Sequence, residues 1–121
     1  MADVDPEVRA LLPLTATVFH ILLALLDGPR HGYWIMQEVA RRSDGQVGLG
    51  PGTMYGAIDR MVGAGLIENA APPEDLSVEK RRRYYTMTDL GLRALTAESE
   101  RLAVLVGYVR DRSLISEVGP A

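Results

Sequence analysis

Residues 14–26 present almost no polar face. Val18, Phe19, Ile21, Leu22, Leu23, Leu25 and Leu26 surround one helix over residues 15–27, with Thr15 as its N-cap. A helix that is apolar all round must be buried all round, and a chain of 121 residues rarely encloses one on every side. Part of it, with Phe19 and Leu22, is therefore expected to face a second copy. His20 sits in this apolar context and reads as a packing residue rather than a ligand. Gly28-Pro29 marks a turn. A second helix follows over residues 31–43, with Tyr33, Ile35, Met36, Val39 and Ala40 as its apolar positions, and Ser43-Asp44-Gly45 ends it.

Residues 46–49 form a short extended connection to a third helix with clear start and stop signals. Gly50 serves as N-cap, Pro51 fits the first helical position, and Gly65 suits the left-handed residue just past the end. Met54, Ala57, Ile58, Met61 and Val62 make one buried stripe. Thr53, Tyr55, Gly56, Asp59, Arg60 and Gly63 make the opposite face, on which few side chains are bulky. Such a thin face suits a surface helix of a small bundle, and equally a helix that approaches a second surface closely. In a helix-turn-helix protein that surface is the DNA major groove.

Two strands follow, over residues 66–70 and 81–87, around a loop at 72–77. Strand alternation puts Arg81, Arg83 and Tyr85 on one face and Arg82, Tyr84 and Thr86 on the other, and leaves open which tyrosine is core. Thr88 then caps a last helix that runs to about residue 112, roughly 37 Å at 1.5 Å per residue. Leu92, Leu95, Ser99, Leu102, Val106 and Val109 recur at spacings of three and four, widened by Leu105 and Tyr108. This a/d seam projects beyond a small domain and is read as a dimer contact. The pattern divides the chain into an N-terminal arm (1–13), a helix-turn-helix with a hairpin wing (14–87), a dimerisation helix (88–113) and a short tail (114–121). The arm is expected to be loosely ordered, with Val8, Leu11 and Leu12 in a turn of helix that docks on a partner and Pro13 closing it. The fold class is mainly α with a small β-hairpin: a winged helix-turn-helix with a long C-terminal helix.

Charge changes this picture in one place. The net charge is −3, yet Lys80, Arg81, Arg82 and Arg83 supply four of the 13 basic residues in consecutive positions. A basic stripe on an acidic body is compatible with phosphate contact; a basic edge strand that resists aggregation is the plainer alternative. No cysteine is present, so disulfides, thiolate metal sites and a cysteine nucleophile are excluded. The apolar run is too short to span a bilayer, and Asp3, Asp5 and Glu7 before it have the wrong charge for a signal peptide, so a cytoplasmic protein is expected. No paired carboxylates stand out, the two histidines lie apart, and Gly48-x-Gly50-x-Gly52 lacks the lysine and spacing of a phosphate loop. Neither an enzyme, a metal site nor a cofactor is expected.

Several stretches combine into a resemblance. Gly28-Pro29-Arg30-His31-Gly32-Tyr33, Gly50-Pro51-Gly52-Thr53-Met54-Tyr55, Gly65-Leu66-Ile67 and Arg82-Arg83-Tyr84-Tyr85-Thr86-Met87-Thr88, with Gly91, are together similar to the PadR family of bacterial transcriptional regulators. The resemblance covers about residues 14–112. It implies a winged-helix DNA-binding domain, a homodimer built through the first and C-terminal helices, and repression at double-stranded operator DNA. The single C-terminal helix resembles the short subgroup. It places Tyr33 near the DNA backbone, Gly52, Thr53, Tyr55 and Gly56 at the start of the recognition helix with Arg60 a turn further on, and Lys80, Arg81, Arg82 and Arg83 beside the duplex. Arg60 is the candidate for guanine readout, with Asp59 orienting it or selecting a cytosine amino group. The sequence departs from the family at Gly50, where a Ser or Thr cap is common, and at an acidic wing tip with Glu74, Asp75 and Glu79. A small aromatic effector between subunits is a further reading, hinted at by Trp34 and Tyr108. The competing reading is a winged helix used only for protein interaction, which the acidic total favours.

Overall fold

The computed structural model describes residues 5–47, 50–73 and 82–115. Its elements are α1 (Pro6–Arg9), α2 (Ala16–Ala24), β1 (Arg30–His31), α3 (Gly32–Arg42), α4 (Pro51–Gly63), β2 (Ile67–Ala70), β3 (Tyr84–Met87) and α5 (Asp89–Asp111). The apolar α2 lies at the centre, packed against α3, α4 and α5. Ile21, Leu22, Ile35, Met54, Ile58 and Ile67 are fully buried around it. The caps fall where side-chain chemistry puts them: Thr15 accepts from the Val18 N–H at 3.2 Å and Thr88 from the Gly91 N–H at 3.0 Å. Gly65 has φ +78°, the left-handed conformation expected past the end of α4.

The wing is a three-stranded antiparallel sheet of order β1-β3-β2, not a bare hairpin. The two-residue β1 pairs Arg30 with Tyr85 and His31 with Tyr84. Two residues carry no readable alternation, so β1 left no trace in the hydrophobic pattern. Its presence resolves the tyrosines: β3 is the central strand, and both Tyr84 and Tyr85 are buried, on opposite faces. Tyr85 joins the main core, while Tyr84 lies edge-on under His31 with ring centroids 5.5 Å apart. The described part of the second wing strand starts at Tyr84, three residues later than expected.

The N-terminal arm docks on its own chain. Val8 is buried and α1 packs on α5, where Arg93 hydrogen-bonds Asp89 at 3.0 Å, bonds Asp5 and lies 3.8 Å from Glu7. A second tie comes from Glu98, which is 2% exposed. Its carboxylate accepts the Leu14 N–H at 3.2 Å and the Arg101 guanidinium at 2.6 and 2.9 Å. The bonds from Arg101 hold its carboxyl below the usual range against the opposing effect of burial. At the end of α3, Arg41 and then Arg42 bring Glu38 down to about 2 in the same way.

Candidate nucleic-acid interface

α4 buries Met54, Ala57, Ile58 and Met61 and turns Gly52, Thr53, Tyr55, Asp59, Arg60 and Gly63 outward. Residues one apart on a helix diverge by about 100°, and this splits the outer face in two. Tyr55 and Asp59 lean towards α3 and the wing, where they share a cleft of about 350 Å³ with His31, Gly32, Tyr33, Arg82, Arg83 and Tyr85. Thr53 and Arg60 lean the other way, into a groove of about 390 Å³ beside Thr15 and Thr17 at the start of α2. Asp59 thus lines a different cleft from Arg60, the arginine it was read as orienting. Its charge is felt at Tyr85, whose phenol burial pushes up while the neighbouring Arg83 pulls it down. The Arg60 guanidinium lies along Gly56, with Nη1 3.5 Å from where a Cβ would stand.

Two close approaches assemble the wing-side cleft. The Tyr55 ring lies against Gly32, where a Cβ would stand 2.5 Å from Cε1 and 2.9 Å from the hydroxyl. The Arg82 guanidinium lies over the exposed Tyr33 ring, 5.2 Å from its centroid, a cation–π contact. The starts of α3 and α4 and the base of the wing thus meet on one surface that carries tyrosine hydroxyls and arginines. Lys80, Arg81 and the acidic wing tip lie outside the described residues.

The family model described as the Transcriptional regulator PadR-like family matches residues 21–97, which includes α3, α4, the wing and the first part of α5. The chain belongs to this family. PadR-like proteins are transcriptional regulators, not enzymes. The chain is 34% identical over 95 residues to Transcriptional regulator Rv3488 of Mycobacterium tuberculosis, covering 78% of this chain and 82% of that protein. It is 34% identical over 98 residues, 81% of this chain, to an uncharacterized 37.1 kDa protein in transposon TN4556 of Streptomyces fradiae, of which it spans only 26%. Among solved structures, a PadR family transcription regulator from Clostridium difficile R20291 is 28% identical, covering 84% of this chain and all of that one, with a TM-score of 0.67. Bacillus subtilis PadR, solved in complex with operator DNA, shares the fold at 18% identity and a TM-score of 0.56, over 89% of this chain and 51% of that one.

The residues assigned to a PadR-type dimer fall into two groups. Leu22 is 0% exposed within its own chain and has no surface to offer a partner, and Leu95 is buried in the same core. The seam read from the sequence crosses between two faces. The buried face of α5 is Gly91, Ala94, Leu95, Ala97 and Glu98, whereas Leu92 is exposed. Beyond Glu98 no described residue of α5 is buried: Leu102 and Val106 are half-buried, and Val104, Leu105, Tyr108 and Val109 are exposed. Phe19 on α2 is half-buried against the core.

Trp34, one of the two residues suggested for an effector, packs against the core and carries the Arg30 guanidinium 4.4 Å above its ring. Tyr108, the other, stands 61% exposed on the far half of α5. No helix among the described residues is long and apolar enough to cross a membrane. His31, absent from the sequence-derived site, lines the wing-side cleft and caps α3. It was missed because histidine is not among the usual N-cap residues.

Proposed function

We propose that this PadR-like regulator is a dimeric, cytoplasmic repressor that binds double-stranded operator DNA, with α4 of each subunit in the major groove. The observation that carries the reading is the joined surface of α4, the start of α3 and the wing base, in which Tyr55 seats on Gly32 and Arg82 on Tyr33. The shared fold with a PadR solved on operator DNA supports it. In this reading Gly52 and Gly56 let the helix approach, and Thr53, Tyr55 and Tyr33 set register through phosphates. Arg60 reads a guanine through O6 and N7. Lys80, Arg81, Arg82 and Arg83 contact the backbone. Leu92, Leu102, Leu105, Val106 and Val109, with Phe19, form the contact between subunits, and the unpartnered far half of α5 favours that arrangement over a fold-back onto its own domain. The reading does not call on an effector at Trp34 and Tyr108.

Binding to duplexes from the gene's own upstream region, measured across salt concentrations, tests this against a protein-interaction module. Replacing Arg82 and Arg83 by alanine should weaken binding on every sequence and flatten the slope of log affinity against log salt by about two. Arg60→Ala should cost about 1–3 kcal/mol and relax preference at one base pair. An unchanged slope removes the wing from the contact, and an unchanged preference removes Arg60 from readout.

A further inference from the structure

The Nδ1 of His31 accepts the backbone N–H of Trp34 at 3.0 Å, which makes this side chain the N-cap of α3. An imidazole nitrogen accepts a hydrogen bond only when it carries no proton, so the cap requires neutral histidine with its proton on Nε2. The same ring stacks near Tyr33, centroids 6.5 Å apart and planes 15° apart, and meets Tyr84 edge-on. Its backbone pairs with Tyr84 in β1, and the next residue is the Gly32 on which Tyr55 rests. One residue thereby joins α3, the wing and, through Gly32, the recognition helix.

We propose that His31 is a positioning residue for the DNA-binding face, and that its cap, available only to the neutral imidazole, makes this face sensitive to pH. The proposal rests on the DNA-binding reading above. Protonation would turn the acceptor into a donor that faces another donor, and would place positive charge at the positive end of α3. The groups that face His31 among the described residues are Arg30 on its own strand, Tyr33 on α3, Tyr55 and Asp59 on α4, and Arg82, Arg83, Tyr84 and Tyr85 at the wing. The imidazolium charge is shared by both ring nitrogens, and the lost cap at Nδ1 is expected to outweigh its attraction for an incoming phosphate. Uncapping would loosen Tyr33 beneath Arg82 and Tyr55 against Gly32 together.

The test uses the full chain and two readouts. Trp34 is the chain's one tryptophan and its amide is the group being capped, so its emission reports the cap without DNA. Titrating the free protein from about pH 8 to 5, the range in which imidazole changes charge, should shift that emission. The transition should vanish in His31→Asn, since asparagine caps without titrating, and persist in His20→Gln. Affinity for a bound duplex should fall about tenfold from pH 8 to 5.5. His31→Ala should bind about tenfold weaker already at pH 8, and His31→Asn should restore most of that affinity and be independent of pH. A Trp34 transition that survives in His31→Asn overturns the proposal. So does a wild-type affinity that is flat or rises on acidification. If the wild type binds no DNA even at pH 8, the DNA reading fails while the Trp34 titration still decides the cap.

Discussion

Gly91→Ala is expected to cost about 3 kcal/mol or more, and to lower the melting temperature by roughly 10 °C or more. A Cβ at this position would collide with the Leu66 carbonyl oxygen and stand 2.9 Å from Met87 Cγ. The first of these is main chain and cannot rotate away. It also belongs to a tight joint: the Thr88 N–H donates to the Leu66 oxygen at 3.1 Å, and the Thr88 hydroxyl donates to the Gly65 and Leu66 oxygens at 2.6 and 3.0 Å. Relief therefore means moving α5 off the end of α4. A loss of that size is a large part of the 5–15 kcal/mol that holds a domain together. Thermal and urea unfolding followed by circular dichroism measure it, with Gly63→Ala as the comparison, since a Cβ there meets nothing within 4 Å. Near-equal stability of the two variants would show that the joint is soft. The joint matters for function because it fixes the direction in which α5 leaves the recognition helix. In a dimer built on α5, that direction sets the distance between the two copies of α4.

Gly32→Ala should do the reverse: leave the fold and remove the binding. The atoms in its way are Cε1, Cζ and the hydroxyl of Tyr55, the far end of a side chain that can swing outward. Alanine also favours helix over glycine by about 1 kcal/mol. Stability should change by no more than about 1 kcal/mol, while affinity for duplex DNA falls at least about tenfold because Tyr55 no longer lies along the helix face. Anisotropy titrations beside thermal melts separate the two effects. If the loss acts through Tyr55, adding Tyr55→Ala to Gly32→Ala should cost little more. Fully additive losses would mean that Gly32 acts by another route.

Much of this was legible in the residues. The caps at Thr15, Gly50 and Thr88, the left-handed Gly65 and the buried stripe of α4 follow from local chemistry that needs no tertiary information. The family was legible because several short motifs fall in a fixed order. What stayed hidden depends on partners distant in sequence. β1 exists only because β3 lies alongside it. Tyr84 and Tyr85 are both buried because each face of β3 is covered, by His31 on one side and by the main core on the other. Leu22 and Leu95 looked like interface because apolarity does not say which apolar surface covers it; here it is the chain's own. Nothing in the sequence marks Glu98 as buried, since charged side chains seldom are, and only Leu14 and Arg101 explain its place. Asp59 and Arg60 are neighbours in sequence and face different clefts.

In the proposed regulator two copies of α4 read two half-sites of one duplex at a spacing set by α5. Selecting bound sequences from a random pool of double-stranded DNA with the full chain decides whether they do. The expected result is enrichment of an inverted repeat whose half-site centres lie about one helical turn apart, roughly 10 base pairs or 34 Å. Each half-site should carry a guanine that is no longer selected by Arg60→Ala. Enrichment of a single unpaired half-site, or no enrichment at all, would contradict this arrangement.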